Sequence, residues 1–395
     1  MMSPLMRFLM YGLAGVTFFT CYQRFTGEPN LQNGDASQDY GLDKHPIGTL
    51  GHGIALKDGR RTISRRTVAV ADLHGDLQHA LNVFRMAGVI SAPSPSTSAD
   101  DEQRWIAGHD VLVSTGDIVD RGDDTIALYR LYQSLRSQAA RAGGEVRNLL
   151  GNHEVMNAIG DWRYVTQGDI RSFGGVEERR AVMSDKGWIG QDWIQSYNVT
   201  TIVPLLPADH PGLPAGYTPP SASFVHGGIT HEYASKGIDS INIIGKSFLI
   251  KGLSEARPSG WLPSNTSEEE KHLYSESGPL WYRGYATDAE SEACDHARQT
   301  TQELGVRHLV MGHTPHFNGF VVRCAEDKNS ILLIDTGISR AYGGEQSALI
   351  IDMDLTPVDK QSNGKRLWKE TETLTALYKG RVPKVLARID QDLWL

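Results

Sequence analysis

Residues 111 to 135 read VLVSTGDIVDRGDDTIALYRLYQSL, an apolar stretch followed by a loop rich in aspartate and then by a second apolar pattern. The residues just before this loop are small and β-branched, which predicts a strand. From Ile126 to Ala139 the apolar residues recur at helical spacing, which predicts an amphipathic helix over residues 125 to 142. Strand, loop and helix in this order are typical of an α/β protein whose helix packs on the sheet.

Five polar clusters are spread along the chain, and each follows a short apolar run. They are Asp72-Leu73-His74, Gly116-Asp117-Ile118-Val119-Asp120-Arg121-Gly122, Gly151-Asn152-His153-Glu154, His226-Gly227-Gly228 and Gly312-His313-Thr314. The apolar runs predict strands, which places every cluster at a strand end that opens into a loop. Because a sheet fixes its strand ends while loops leave side chains free, we expect the five clusters to converge on one site.

The order of the elements predicts the fold class. Up to residue 150, strands and helices alternate, which favours right-handed crossovers and a parallel sheet. Farther along, residues 331–334 and 348–351 are two apolar stretches close together, which suggests antiparallel pairing in a second sheet. We therefore predict an α/β protein, a two-sheet β-sandwich flanked by helices, with the active site on loops at the strand ends.

The clusters offer carboxylate, imidazole and amide ligands and no cysteine, a set that suits ions of intermediate hardness such as Mn, Fe and Zn. Two cations about 3.5 to 4 Å apart need a shared ligand, and the two oxygens of Asp117 make it the predicted bridge. The other predicted ligands are Asp72 and His74 for the first ion, and Asn152, His226 and His313 for the second. Such a pair of ions is typical of sites that hydrolyse phosphoesters. A hydroxide held between the ions would attack the phosphorus atom of the ester in line with the leaving oxygen.

His153 and Asp120 are predicted to have a different role. A leaving alkoxide or phenoxide departs more readily when protonated, and a histidine held by a carboxylate is a suitable donor near neutral pH. We assign His153 as the general acid and Asp120 as its orienting partner. Arg121 and Arg283 are predicted to bind the phosphoryl oxygens, since a guanidinium group offers a planar fork of donors. For Arg283 the alternative is a salt bridge to an acidic residue between positions 288 and 295.

These motifs resemble those of the metallophosphoesterase (calcineurin-like phosphoesterase) superfamily, specifically its PPP-type serine/threonine phosphatases. Within that group, the segments GDIVDRGDDTIALYRLYQSL (116–135), VRNLLGNHEVMNAIGDWRYV (146–165) and LWYRGYA (280–286) are similar to the Shewanella-like protein phosphatases. The resemblance covers about residues 65 to 355. It implies the ligand set given above, His153 as acid, and protein phosphatase activity, with several relatives favouring phosphotyrosine.

The sequence departs from the family pattern at two positions. Ala71 stands where the family usually has glycine, a change that touches no ligand. Pro315 stands where the broader superfamily has a second histidine, which leaves the first ion short of one protein ligand, as in the PPP branch. A Ser-Asp-Pro segment of the mainstream serine/threonine enzymes is not recognisable, so their substrate preference does not transfer.

We predict a binuclear-metal-dependent phosphoprotein phosphatase that hydrolyses phosphomonoesters without a phosphoenzyme and favours phosphotyrosine over phosphoserine and phosphothreonine. Its cofactors would be two divalent or trivalent ions (Mn, Fe or Zn), and its partner a phosphoprotein or phosphopeptide. The alternatives are a hydrolase of dinucleoside polyphosphates or other small phosphoesters and, less favoured, a pseudophosphatase scaffold.

The aromatic segment 162–193 either packs in the core or walls the substrate cleft. The net charge of -8 argues against a nucleic-acid partner.

The chain divides into four predicted regions. Residues 1–25 are a signal peptide or signal anchor, because an apolar stretch shorter than a membrane span of about 20 residues follows Arg7. Residues 26–64 are a linker or irregular N-terminal wrap, 65–355 the catalytic domain, and 356–395 a C-terminal extension that packs on it. We expect entry into the secretory pathway, with membrane anchorage only through the first segment. A mitochondrial presequence is less favoured, since these 25 residues hold two arginines and a single serine.

The three cysteines leave the redox state open. Cys21 lies in the targeting segment, and Cys294 and Cys324 remain for the folded domain. These two would pair in an oxidising lumen. Two unpaired thiols that pack as small apolar side chains fit the sequence equally well.

Overall fold

The computed structural model describes residues 54–57, 60–93, 103–255, 261–328 and 330–395. The predicted targeting segment and most of the predicted linker lie outside these ranges. No helix within them is both long and apolar enough to cross a bilayer.

Thirteen strands in the described ranges form two sheets. In chain order they are β1 (Ile54–Lys57), β2 (Arg60–Val70), β3 (Val111–Ser114), β4 (Glu145–Leu149), β5 (Tyr197–Asn198), β6 (Thr200–Pro204), β7 (Ser221–Val225), β8 (His308–Met311), β9 (Val321–Arg323), β10 (Ile331–Leu333), β11 (Ser347–Ser362), β12 (Lys365–Tyr378) and β13 (Lys384–Trp394).

Eleven α-helices lie between these strands in the same described parts of the chain. They are α1 (Leu77–Met86), α2 (Thr125–Ala142), α3 (Asn152–Ala158), α4 (Gln167–Ser172), α5 (Val176–Met183), α6 (Trp188–Ser196), α7 (His231–Lys236), α8 (Ile238–Leu253), α9 (Glu268–Leu273), α10 (Gly284–Thr287) and α11 (Glu290–Leu304). The helix α2 has the predicted bounds. It is capped by Gly143, whose left-handed backbone (φ 81°) lets its N–H bind carbonyl oxygens of the last turn.

The first sheet has the strand order β13-β12-β11-β2-β3-β4-β5, with β1 also paired to β2. Its centre, β2 to β5, is parallel as predicted, and β11 to β13 add an antiparallel half. The second sheet has the order β6-β7-β8-β10-β9, in which β7, β8 and β10 are parallel. Two sheets flanked by helices confirm the predicted fold class.

The two faces of each sheet bury different cores. Along β2, Ala69 belongs to a cluster shared with Phe224 and Val310 of the second sheet, so it faces the interior of the sandwich. Its neighbours Val68 and Val70 belong to the other cluster, which includes the helices. This alternation is the period of two that a strand imposes on its side chains, and it produces the layer order helix, sheet, sheet, helix.

The structure corrects one prediction of strand pairing. The apolar stretches 331–334 and 348–351 do not pair with each other. β10 lies in the second sheet, parallel to β8, whereas β11 joins the first sheet, antiparallel to β2 and β12. Both strands bury apolar side chains in the sandwich, so composition alone does not tell which sheet each one joins.

One further region differs from its prediction, and the structure answers one question that the sequence left open. Residues 54–57 and 60–64, expected in a linker or irregular wrap, are strand, paired antiparallel from Ile54 opposite Ile63. Cys294 and Cys324 are joined by a disulfide with their Cα atoms 5.4 Å apart, which links α11 to the end of β9.

Candidate metal centre and active site

The predicted clusters meet at the carboxyl ends of parallel strands from both sheets. The loops after β2 and β3 bring Asp72 and His74, and Asp117 to Arg121. The first turn of α3, after β4, brings Asn152 and His153, and the loops after β7 and β8 bring His226 and His313. All the predicted metal ligands are buried, at most 6% exposed. Facing strand ends of a two-sheet sandwich therefore form one polar site inside an apolar frame.

Asp117 lies at the centre of this site. Its Oδ2 is 3.3 Å from Nε2 of His226 and 3.7 Å from Nε2 of both His74 and His153. Ligand atoms of Asp117, His74 and His153 form one group, and those of Asp117, His226 and His313 form a second, each within 4.8 Å. The Oδ1 atom instead accepts the backbone N–H of His153 at 3.0 Å. A single oxygen, rather than the predicted pair, thus faces both groups.

Backbone carbonyls orient two of the histidine rings. Nδ1 of His226 is 3.0 Å from the carbonyl oxygen of Thr115, and Nδ1 of His74 is 3.0 Å from that of Val119. A carbonyl only accepts, so each Nδ1 carries a proton, and in the neutral ring Nε2 is the nitrogen left to bind a metal ion. Nε2 of His226 faces Oδ1 of Asn152 at 2.8 Å. Acceptor atoms that converge in this way need a cation between them, so the donor set fits metal ions.

Asp72 belongs to neither group and contacts the backbone of the loop after β8. Its Oδ2 accepts the backbone N–H of His313 at 3.1 Å. Burial, followed by the charges of Asp335 and Asp117, raises the pKa of Asp72 well above its ordinary range. Burial likewise raises the pKa of Asp335 to about 6. Buried carboxylates crowded together repel one another until a cation compensates them, which is a second indication of a metal centre.

The protonation states of the other ligands agree with metal binding. Burial lowers the pKa of both His74 and His313 well below the ordinary value, so both rings are neutral near pH 7. Burial alone would raise the pKa of Asp117, but the neighbouring imidazoles, led by His226, lower it well below its ordinary value. Neutral imidazole and ionised carboxylate are the forms that coordinate metals.

His153 and Asp120 are in direct contact. Nδ1 of His153 donates to Oδ2 of Asp120 at 2.6 Å, and Nδ2 of Asn157 donates to Oδ1 of Asp120 at 2.9 Å. Nη2 of the buried Arg179 lies 3.9 Å from the same Oδ1. Burial lowers the pKa of His153, but the charge of Asp117 and the hydrogen bond with Asp120 outweigh burial, so the net pKa is raised.

Glu154, next to the proposed acid, organises the backbone of the site. Its carboxylate accepts the N–H groups of Asp117 (2.9 Å), Ile118 (2.8 Å) and Gly151 (2.7 Å), and the hydroxyl of Tyr129 (3.0 Å). One buried side chain therefore ties the end of β3 to the start of α3, which fixes the distance between two of the polar loops.

Six residues of the site have left-handed backbone, a conformation that costs most residues other than glycine about 1 kcal/mol and costs asparagine and aspartate less. They are Asp72, His74, Asp117, Asp120, Arg121 and His313, with φ between 41° and 73°. At one point the loops come so close that only glycine fits. A Cβ on Gly75 would lie 2.6 Å from the carbonyl carbon of Gly122, so the loops after β2 and β3 meet glycine to glycine.

The two predicted phosphate-binding arginines lie at the edge of the site. Nη1 of Arg283 donates to the carbonyl of His313 and to Oγ1 of Thr314, both at 2.9 Å. The alternative salt bridge within residues 288–295 is not formed among the residues described; Arg323 instead pairs with Glu290. The guanidinium group of Arg121 lies against the rings of Tyr164 and Tyr342.

Sequence reasoning missed Asp335 and Tyr342, and it left open whether Tyr164 packs in the core or lines the cleft. Asp335 follows an apolar run just as the five clusters do, so the same signal would have found it. The ring centroids of Tyr342 and His74 are 5.4 Å apart, and those of Tyr164 and His153 are 4.9 Å apart. Of the aromatic segment 162–193, Tyr164 contacts the site, whereas Phe173 and Trp193 are core residues. No local pattern distinguishes these roles.

The chain is similar to known proteins over most of its length. Residues 65–317 match the calcineurin-like phosphoesterase family. The chain is 37% identical over 320 residues to an uncharacterized protein of Schizosaccharomyces pombe, covering 80% of this chain and 82% of that one. It is 25% identical over 323 residues to Shewanella-like protein phosphatase 2 of Arabidopsis thaliana, covering 70% and 72%.

The fold is also similar to solved structures. The crystal structure of a cold-active protein-tyrosine phosphatase from a psychrophilic Shewanella species superposes with a TM-score of 0.57 at 24% identity, over 82% of this chain and 80% of that one. The two-sheet architecture, the acceptor groups around Asp117 and the family match over more than half of the chain lead to one conclusion: this protein belongs to the calcineurin-like phosphoesterase family.

Proposed function

We propose that this protein is a binuclear-metal-dependent phosphoprotein phosphatase that hydrolyses phosphomonoesters, with phosphotyrosine favoured. The observation that supports it most directly is the position of Asp117 Oδ2, which faces imidazole nitrogens of two ligand groups at once. A shared carboxylate is what a pair of neighbouring cations requires.

The residues divide between the two ions as follows. His74 and Asp117, with Asp72 beside them, would hold the first, and Asp117, Asn152, His226 and His313 the second. When bound, the ions would supply Lewis acidity toward the phosphoryl group and lower the pKa of a water molecule. The hydrogen bonds of His74 and His226 to backbone carbonyls orient the two rings, so that Nε2 would be the nitrogen that binds an ion.

The protein side chains would do the remaining work. Arg121 and Arg283 would bind phosphoryl oxygens through their N–H groups. His153 would protonate the leaving oxygen from Nε2, because its Nδ1–H is committed to Asp120. Asp120 accepts the hydrogen bond of Nδ1–H and favours the protonated ring, in which Nε2 carries the proton that is transferred.

The rings around the site support an aromatic substrate. Tyr164, Tyr342 and Phe317 are partly or largely exposed beside it, and the ring centroids of Phe317 and Tyr342 are 6.5 Å apart. A phosphotyrosine ring would stack on such surfaces, whereas phosphoserine offers no ring. The match to a structure described as a protein-tyrosine phosphatase is consistent with this preference.

The test compares substrates on protein stripped with chelator and reloaded with Mn. We expect metal-dependent turnover of a phosphotyrosine peptide, with slower turnover of the matched phosphoserine peptide. Faster hydrolysis of a dinucleoside polyphosphate would favour the small-phosphoester alternative. No metal-dependent turnover of any of the three would leave a scaffold.

We also propose that the protein acts in the secretory pathway, as the N-terminal sequence predicts. The disulfide between Cys294 and Cys324 supports an oxidising compartment, because cytosolic thiols are kept reduced. Protease protection of a tagged protein in microsomes tests this, and a cytosolic, protease-accessible protein would contradict it.

A further inference from the structure

Arg121 is held by aromatic rings. Its Cζ lies 4.4 Å from the centroid of Tyr164 and 4.7 Å from that of Tyr342. Its Nε is buried and has no hydrogen-bond partner among the residues that the structure describes. The buried Arg179 also lies over two rings, those of Trp162 (4.7 Å) and Phe173 (5.4 Å), but its Nε donates to the carboxylate of Asp169 at 2.8 Å. The two tyrosine rings thus hold Arg121 by contact with the faces of its guanidinium group. The N–H donors at the edges of that group are left for a ligand.

The same tyrosines contact the histidines of the site. Tyr164 lies 4.9 Å from the ring of His153, and Tyr342 lies 5.4 Å from the ring of His74. The rings of His74 and His153 are themselves 4.7 Å apart. The tyrosines therefore place Arg121 beside both the proposed acid and a proposed metal ligand.

Each tyrosine is itself anchored. The carbonyl oxygen of Tyr164 accepts the backbone N–H of Arg121 at 2.9 Å, so ring and backbone act on the same residue. Tyr342 lies two residues after Arg340, whose backbone N–H and Nε both donate to Asp76, at 2.8 and 2.9 Å. The loop that carries Tyr342 is therefore tied to the loop that carries His74.

We propose that Tyr164 and Tyr342 are positioning residues that hold the Arg121 guanidinium group with its N–H edges directed to the phosphoryl oxygens of the substrate. A free arginine side chain loses rotamer freedom when it binds an anion, and a stacked one has lost that freedom beforehand. A carboxylate would fix the side chain as well, but it would compete with the phosphate for the same N–H groups. Aromatic faces do not compete, because they contact the plane of the guanidinium group.

The inference rests on the proposed function, and its test uses inorganic phosphate, which both arginines would bind in the Mn-loaded full-length protein. Calorimetry gives the dissociation constant of phosphate. We expect Tyr164→Leu and Tyr342→Leu each to weaken phosphate binding about 3- to 30-fold, the range of one cation–π contact. Tyr164→Phe and Tyr342→Phe keep the rings and should restore binding to within about twofold of the unsubstituted protein.

A double-mutant cycle separates positioning from a general structural effect. If the tyrosines act through Arg121, the leucine substitutions should cause no further loss in an Arg121→Met background. Trp188→Leu is a matched control, because the ring of Trp188 lies 3.7 Å from Cζ of Arg130, outside the site. This control should leave phosphate affinity unchanged.

Metal analysis and circular dichroism establish that each variant is folded and loaded, and a methionine replaces any leucine that prevents folding. Leucine variants that bind phosphate as tightly as the unsubstituted protein would overturn the inference. So would losses of equal size with and without Arg121. Absent hydrolysis of every phosphoester would overturn the proposed function, while the phosphate titrations would still decide the role of the tyrosines.

Discussion

The site loops and the hairpin between β11 and β12 both use left-handed backbone, for opposite reasons. In the hairpin the turn residues are Asn363 (φ 50°) and Gly364 (φ 76°), the pair that local propensity favours for a two-residue turn. In the site, Arg121 (φ 64°) is left-handed although local propensity is unfavourable for arginine, and five aspartates and histidines in separate loops adopt the same conformation. The hairpin turn is dictated by its own sequence, whereas the site conformation is imposed by tertiary contacts.

The two regions serve different purposes: the site loops position functional groups, and the strands β11 to β13 contribute to the stability of the sheet. Contacts such as those of Glu154 hold the strained loops, and the strain orients polar groups that crowd each other when no cation is present. The antiparallel strands β11 to β13 extend a regular sheet and touch no predicted ligand in the contacts described. We expect substitutions in the two regions to affect different measurements.

Metal removal should produce the largest effect. Chelation should abolish turnover, by at least about a thousandfold, because both the nucleophile and the phosphoryl charge depend on the ions. It should also lower the melting temperature, since a ligand present at about 100 times its Kd contributes about 2.7 kcal/mol. Calorimetry and turnover before and after Mn is restored measure both. An unchanged melting temperature and full activity in chelator would contradict the metal centre.

His153→Asn should lower kcat by about a hundredfold to ten-thousandfold, the usual contribution of a general acid. Metal content should stay at the level of the unsubstituted protein, since none of the six proposed metal ligands is changed. The loss should be smaller for aryl phosphates with good leaving groups, which need less protonation. Unchanged turnover of a phosphotyrosine peptide would remove His153 from the mechanism.

Asp120→Asn should move the pH profile. The pKa of His153 is raised in part by the hydrogen bond with Asp120, so the protonated acid persists to higher pH. Without that charge the pKa falls, and the alkaline limb of kcat should move to lower pH. A profile measured from pH 5 to 9 on metal-loaded protein checks the sign, and a shift to higher pH would contradict it.

Leu374→Ala should act on stability alone. Leu374 lies on β12 and is fully buried in the sandwich core, so truncation should cost about 2 to 5 kcal/mol in free energy of unfolding. Turnover per folded molecule should not change. Urea denaturation and active-site titration separate the two quantities, and a fall in kcat of the folded fraction would show that the two regions are coupled.

Asn363→Ala should give the smallest effect, a loss of about 1 kcal/mol, because alanine is strained in the left-handed region. Asn363→Gly is the control and should be neutral or nearly so, since glycine adopts this conformation freely. Equal stabilities for the two variants would mean that the hairpin turn is not set by local propensity.

Much of the site could be predicted from its sequence, because each polar cluster follows its own strand. The contact between His153 and Asp120 was predicted and is found at 2.6 Å. Asp335 was missed although the same rule applies to it. Tyr164 and Tyr342 could not be found in this way, because their contacts to Arg121 join residues 43 and 221 positions apart. Sequence proximity also misled, since it suggested that β10 and β11 pair.

The sequence by itself determined the periodic elements, the turn at Asn363 and the chemical identity of the ligands, since these depend on neighbours a few residues apart. Only the tertiary structure decided which sheet β11 joins, which oxygen of Asp117 faces the imidazoles, and which rings hold Arg121. Those choices depend on packing between segments far apart in the chain, where burial and close approach outweigh local propensity.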